Sequence, residues 1–153
     1  GISDRQYGFT KGTSTINAIN RVVEMASSAR SGTWRTREWV TITILDIKNA
    51  FNSVAWTEIK REMEWWQVPP YMMAMIKDYF QDRWIQGQNS QLRKITSGVP
   101  QGSVLGPSLW KVMYDRMLRM DLGAGNTLIA FADDLVLVNV AKEVEEIQRQ
   151  VGR

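Results

Sequence analysis

Thr127-Leu128-Ile129-Ala130-Phe131-Ala132-Asp133-Asp134-Leu135-Val136-Leu137-Val138-Asn139 decides how this chain folds. Residues 127–131 and 135–139 are apolar and β-prone, and only Ala132-Asp133-Asp134 separates them. Two such runs around so short a polar break predict strand, tight turn, strand. The aspartates then stand at the tip of an otherwise apolar hairpin. Taken alone, an Asp-Asp pair in a turn is ordinary turn chemistry.

A second run ends in the same way. Trp39-Val40-Thr41-Ile42-Thr43-Ile44-Leu45-Asp46 alternates threonine with apolar residues and is rich in β-branched side chains, so it predicts a strand that ends on a carboxylate. If the two elements are neighbours in one sheet, Asp46, Asp133 and Asp134 meet at one end of it. Three carboxylates that close repel one another, and a divalent cation removes the conflict. Hard oxygen donors select magnesium or manganese. Two such ions, about 3.5–4 Å apart, form a clamp for in-line phosphoryl transfer. The chain has no histidine, so the commonest general base and metal ligand is missing, and this chemistry does not need it.

Working outward, Thr13 or Ser14 is placed to cap a helix over about 14–29, with Ile16, Ile19, Val22 and Val23 on one face. Residues 30–38 are polar and carry Arg30, Arg35 and Arg37, which suits a loop. Ser53 is placed to cap a helix over about 54–66. Pro70 suits the first turn of another over about 70–83, with Tyr71, Met72, Met75, Ile76, Tyr79 and Phe80 as its apolar stripe. Residues 84–97 predict a hairpin around Gly87-Gln88-Asn89, and Pro107 opens a helix to about 121 with Leu109, Val112, Met113 and Met117 along one side. A last helix begins near Ala141, with Val144, Ile147 and Val151 inward. Strands and helices mix without regular βαβ alternation. The expectation is α+β, an antiparallel sheet covered by helices on one face.

Composition narrows the rest. At 153 residues, 44% of them hydrophobic, the chain suits one globular domain. It has no cysteine, which excludes disulfides and cysteine-ligated zinc and fits an intracellular setting. No apolar run of about 18 residues is present, so no membrane span is expected. The first residues lack the apolar stretch of a secretory signal. The net charge of +3 permits a nucleic-acid partner without requiring one. Seven tryptophans offer stacking surfaces for bases, but apolar neighbours favour the core for Trp56, Trp65 and Trp110.

Several stretches together resemble reverse transcriptases of the non-LTR retrotransposon type. Leu45-Asp46-Ile47-Lys48-Asn49-Ala50-Phe51-Asn52 is similar to their first catalytic motif. Gly98-Val99-Pro100-Gln101-Gly102-Ser103-Val104-Leu105-Gly106-Pro107 is similar to the second, and Phe131-Ala132-Asp133-Asp134 to the third. Gln6-Tyr7-Gly8-Phe9, followed by Lys11-Gly12 and Ser14-Thr15, resembles the fingers motif that precedes them. Order and spacing agree over essentially the whole chain.

The resemblance implies a right-hand polymerase fold: partial fingers over 1–38, a palm core over 39–153, and no thumb. It implies an RNA-directed DNA polymerase that uses Mg2+, or Mn2+, to add deoxynucleoside triphosphates to a DNA primer on an RNA template. Flanking domains of a parent polyprotein would be partners, no membrane is involved, and the nucleus is the expected location. Asp46 and Asp133 would ligate the metals, Asp134 would complete the site, and the Ile47 carbonyl would face a metal. Phe51 would lie beneath the sugar of the incoming nucleotide and disfavour a 2′-hydroxyl. Gln101 and Gly102 would line the nucleotide and template pocket, where glycine permits close backbone approach. Lys11, Arg21 and Arg35 are candidates for triphosphate or template contacts, and ordinary surface charge is the competing reading.

This sequence departs from the pattern at Thr10 and Thr13, where relatives commonly place arginines. An RNA-dependent RNA polymerase is the first alternative; those enzymes usually carry an aspartate where Phe51 stands and a glycine where Ala132 stands. A group II intron maturase or a retron enzyme is the second. A remnant that binds nucleic acid without catalysis is the third.

Overall fold

β-Branched and aromatic residues make Trp39–Asp46 a strand of eight residues, β1, with the bounds expected of it. Before it comes α1, Thr15–Arg30. Ser14 caps this helix, accepting from the Asn17 backbone N–H while the Asn17 side chain accepts from the Ser14 N–H, a capping box. The computed structural model describes residues 1–151. Beyond β1 follow α2 (Ala50–Ser53), α3 (Trp56–Trp65), α4 (Pro70–Phe80), β2 (Trp84–Gln86), β3 (Leu92–Lys94), α5 (Gly106–Leu118), β4 (Asn126–Phe131), β5 (Asp134–Ala141) and α6 (Val144–Val151). The side chain of Val151, expected to face inward, lies outside the described residues, as do the last two positions of the expected 39–153 palm.

Two units make up the chain: residues 1–48 with 117–153, and residues 49–116. In the first, β1, β5 and β4 form an antiparallel sheet in the order β1-β5-β4. β5 is central, and its Leu135-Val136-Leu137-Val138 run is apolar without alternation. The burial follows that sequence. Ile129 and Val138 face α1 and pack with Ala18, while Leu128, Ala130 and Leu135, of the opposite parity, are buried as well. The sheet is therefore covered on both faces in β4 and β5, which corrects the one-faced expectation. A strand without alternation is the usual sign of burial on both sides.

Of the face read from the sequence of α1, only Val22 packs inward. Ile16, Ile19 and Val23 are exposed, and the inward stripe is Ala18, Val22, Met25 and Ala29. That spacing is helical, but two of the four residues are small. They bring the helix backbone close to the sheet.

In the 49–116 unit, the helix expected over 54–66 breaks in two. Asn49, at φ +59°, leads α2, and Ser53 ends it instead of capping α3, whose N-cap is Ala55. Ile59, Met63, Ile76, Phe80, Leu109 and Trp110 are buried. Trp56 stacks on Phe80 with centroids 4.7 Å apart, and its indole N–H donates to the Gly98 carbonyl at 2.7 Å. Trp65 is 55% exposed, contrary to its expected place in the core, because α3 turns Ile59, Glu62 and Met63 inward. Tyr71, Met72 and Met75 of α4 are likewise exposed; only Ile76 and Phe80 of the fully conceived stripe are buried. β2 and β3 pair antiparallel around the expected turn, closed by Gly87 N–H donating to the Gln91 carbonyl.

Candidate active site

Antiparallel register brings two of the three aspartates together. β1 pairs with β5 so that Asp46 lies directly opposite Asp134, at the end of both strands. Directly opposed residues put their side chains on the same face, with Cα atoms about 4.5–5.5 Å apart. This is the face on which Val136 and Val138 pack with α1. Both aspartates are exposed and Asp133 is half-buried. Ile47 is the residue just beyond the strand end, also half-buried.

The hairpin that carries Asp133 is tight. Phe131 pairs with Asp134, leaving Ala132 and Asp133 as a two-residue loop. Ala132 has φ +58°. That is the first central position of a hairpin turn, where glycine is usual because it lacks a Cβ. An alanine held there stores strain of order 1–3 kcal/mol.

Neighbouring backbone holds the turn. Gln6 is 2% exposed and forms an isolated parallel bridge with Ala130. Tyr7 N–H donates to the Ala130 carbonyl at 2.8 Å, and Ala130 N–H donates to the Arg5 carbonyl at 2.9 Å. The sequence marked Gln6-Tyr7-Gly8-Phe9 only through its resemblance. Nothing in its local pattern announces a long-range contact with the aspartate turn, since the partners lie 126 residues apart.

Carboxylate oxygens are the donors that magnesium and manganese prefer, so the chemistry of this strand end fits a hard cation. Its geometry supplies a pair of carboxylates in register with a third in the adjoining turn. Among the described residues, no group of three or more His, Cys, Asp or Glu side chains is drawn together as a metal site.

The basic candidates of this unit are dispersed. Lys11 is exposed. Arg21 is exposed and sits 3.7 Å from Glu24 on the same helix, an ion pair of little energetic weight. Arg35 lies over the Trp34 ring, 4.9 Å from its centroid. Thr10 and Thr13 donate their hydroxyls to the carbonyls of Gln6 and Tyr7, closing a loop over 6–13.

Phe51, Gln101 and Gly102 belong to the 49–116 unit. The Phe51 ring is half-buried and stacks on Trp110 with centroids 5.0 Å apart. Its carbonyl accepts from Val99 N–H at 2.8 Å, and the Val54 carbonyl accepts from Gly98 N–H at 2.7 Å. These bonds tie the glycine-rich loop to α2. Gly98 has φ +88°, and a Cβ there would sit 3.0 Å from the Asn52 carbonyl oxygen, so both torsion and space require glycine. Gln101 and Gly102 are exposed at the turn of that loop, with Gly102 at φ +83°.

Comparison with known proteins identifies the family and the fold. Residues 1–151 match the family model described as reverse transcriptase (RNA-dependent DNA polymerase). The chain is 30% identical over 155 residues to the Retrovirus-related Pol polyprotein from type-1 retrotransposable element R1 of Bradysia coprophila, covering 95% of this chain and 14% of that protein. It is 30% identical over 148 residues to the RNA-directed DNA polymerase from mobile element jockey of Drosophila melanogaster, covering 91% of this chain and 16% of that one. It thus spans about one-seventh of the length of these relatives. In fold it resembles apo telomerase from Candida tropicalis, with a TM-score of 0.68 at 12% identity, over 95% of this chain and 29% of that one. A paired-aspartate strand end, a mixed fold with an antiparallel sheet and a family match along the described length converge: this chain belongs to the reverse transcriptase family, of the non-LTR retrotransposon type.

Proposed function

We propose that the chain is the catalytic portion of an RNA-directed DNA polymerase that extends a DNA primer with deoxynucleotides on an RNA template. The observation that carries this reading is the register of Asp46 against Asp134 beside the Asp133 turn. In this reading residues 1–38 are partial fingers, residues 39–153 are the palm, and the thumb comes from outside these residues.

Asp46, Asp133, Asp134 and the Ile47 carbonyl would hold Mg2+, with Mn2+ as a substitute. Such ions, when bound, lower the pKa of an attacking hydroxyl and offset charge on departing phosphate oxygens. The chain's own contribution is positional. Adjacent strands fix the separation of Asp46 and Asp134, and the tight hairpin fixes Asp133 beside them. The side chains of Lys11 and Arg21 supply positive charge for phosphates. Phe51, Gln101 and Gly102 take the incoming nucleotide; the likeness of their motifs to the family's supports that assignment. The Phe51 ring disfavours a 2′-hydroxyl and so selects deoxynucleotides.

Primer extension tests the reading. The R1 polyprotein of Bradysia coprophila, its matching stretch replaced by this chain, is supplied with RNA and with DNA templates. Mg2+-dependent incorporation of deoxynucleotides on RNA is the expected result. Preferential use of ribonucleotides would instead indicate an RNA polymerase. Metal-independent binding of nucleic acid that Asp133→Asn leaves unchanged would indicate a non-catalytic binder.

A further inference from the structure

We infer that Gln6 is a positioning residue for the aspartate turn: its side-chain amide clamps the Ala132 peptide and thereby sets where Asp133 and Asp134 stand. The inference rests on the polymerase reading above. Gln6 Oε1 accepts from Gly8 N–H at 2.9 Å and from Ala132 N–H at 3.2 Å. Two N–H groups that converge on one atom require an acceptor, which orients the amide and leaves Nε2 as donor. Nε2 donates to the Ala132 carbonyl at 3.4 Å. One buried amide therefore holds both polar groups of the residue whose φ is +58°. A buried hydrogen-bonded group of this kind is costly to break, because its partners are left without water to replace it.

The surroundings are built to the same end. Gly8 faces the turn so closely that an added Cβ would overlap the Ala132 nitrogen and lie 2.7 Å from its Cα. The glycine makes room for the turn to dock on the 6–8 backbone. Thr10 Oγ1 donates to the Gln6 carbonyl at 3.0 Å, and Thr13 Oγ1 to the Thr10 carbonyl at 2.9 Å. At these two positions the hydroxyls lock the loop behind the clamp. A conformation that alanine resists is thus imposed from a distant segment, and the position of two carboxylates depends on it. Misplacement by about 1 Å at a catalytic group costs about 100-fold in rate.

The test uses Gln6→Met, which keeps the side-chain length and removes the hydrogen bonds. In the 153-residue chain, amide hydrogen exchange is read by NMR at Ala132 and along β5. The expected result is lost protection at Ala132 with Val136 and Val138 still protected. In the primer-extension polypeptide, Gln6→Met is expected to lower kcat roughly 10- to 100-fold with little change in KM for the deoxynucleotide. Adding Ala132→Gly should restore several-fold of that loss, because glycine adopts the turn without a clamp. Retained protection at Ala132, loss of protection throughout β5, an unchanged kcat, or no recovery in the double variant would each overturn the inference. An inactive parent polypeptide would sink the polymerase reading and the catalytic half of this one. The exchange experiment would still decide whether the clamp exists.

Discussion

Asp46 and Asp134 occupy a place that stability alone would not choose. Like charges directly opposite each other on adjacent strands are destabilising by a few tenths of a kcal/mol up to about 1 kcal/mol. Both side chains are exposed, so solvent screening keeps the penalty near the lower end. Asp46→Asn is therefore expected to raise stability slightly, by about 0.3 kcal/mol, in urea unfolding without divalent cations. Under the proposed polymerase reading, the same substitution, and Asp133→Asn likewise, should lower primer-extension turnover by orders of magnitude, because that reading makes each a metal ligand. Normal extension by either variant counts against the site. Phe51 presents a comparable conflict between packing and selection. Its ring stacks on Trp110 and is half-buried, so Phe51→Ala should cost about 2 kcal/mol. If the ring also guards the sugar, the variant incorporates more ribonucleotide. Lost stability with unchanged sugar selectivity would make Phe51 a packing residue alone.

At the scale of elements, α1 shows why a helical stripe read from one sequence can be the wrong one. Ile16, Ile19 and Val23 are the more hydrophobic residues, yet they face solvent, while Ala18 packs against the sheet and Ala29 is buried. Close approach of the helix backbone to β4 and β5 requires small side chains at the contact. Ala18→Leu should therefore destabilise the chain by about 1–3 kcal/mol through overpacking. Ile19→Ser should change stability by less than about 0.5 kcal/mol. Urea midpoints of the two variants check the assignment, and the reverse order would mean that α1 is rotated. In α3, likewise, the inward position went to Glu62, buried at 3% and paired with Arg116 at 3.1 Å, and not to Trp65. An ion pair between elements leaves no periodic signal in the sequence of either.

At the scale of the whole molecule, the sheet order β1-β5-β4 leaves β1 at an edge, and Ile42 and Ile44 are 49% and 75% exposed. Long apolar edge strands pair readily with other chains. Self-association measured by light scattering should fall in Ile44→Lys, a substitution that blunts the edge. Equal association of variant and parent would place the sticky surface elsewhere. The chain also spans only 14% and 16% of the two relatives, so the proposed polymerase activity is tested in a polypeptide of their length.

Local chemistry was sufficient for the strands and for placing the three aspartates at strand ends and in a tight turn. β1 begins and ends where its β-branched run does, and the apolar flanks of Ala132-Asp133 leave room only for a tight hairpin. The family could be read for the same reason, since its motifs are short and contiguous. Three things were decided by tertiary structure: which face of α1 is inward, the register that sets Asp46 against Asp134 and not Asp133, and the grip of Gln6 on a turn 126 residues away. Each depends on a partner remote along the chain. Periodicity and propensity describe how a segment folds, whereas register and long-range hydrogen bonds depend on what it folds against.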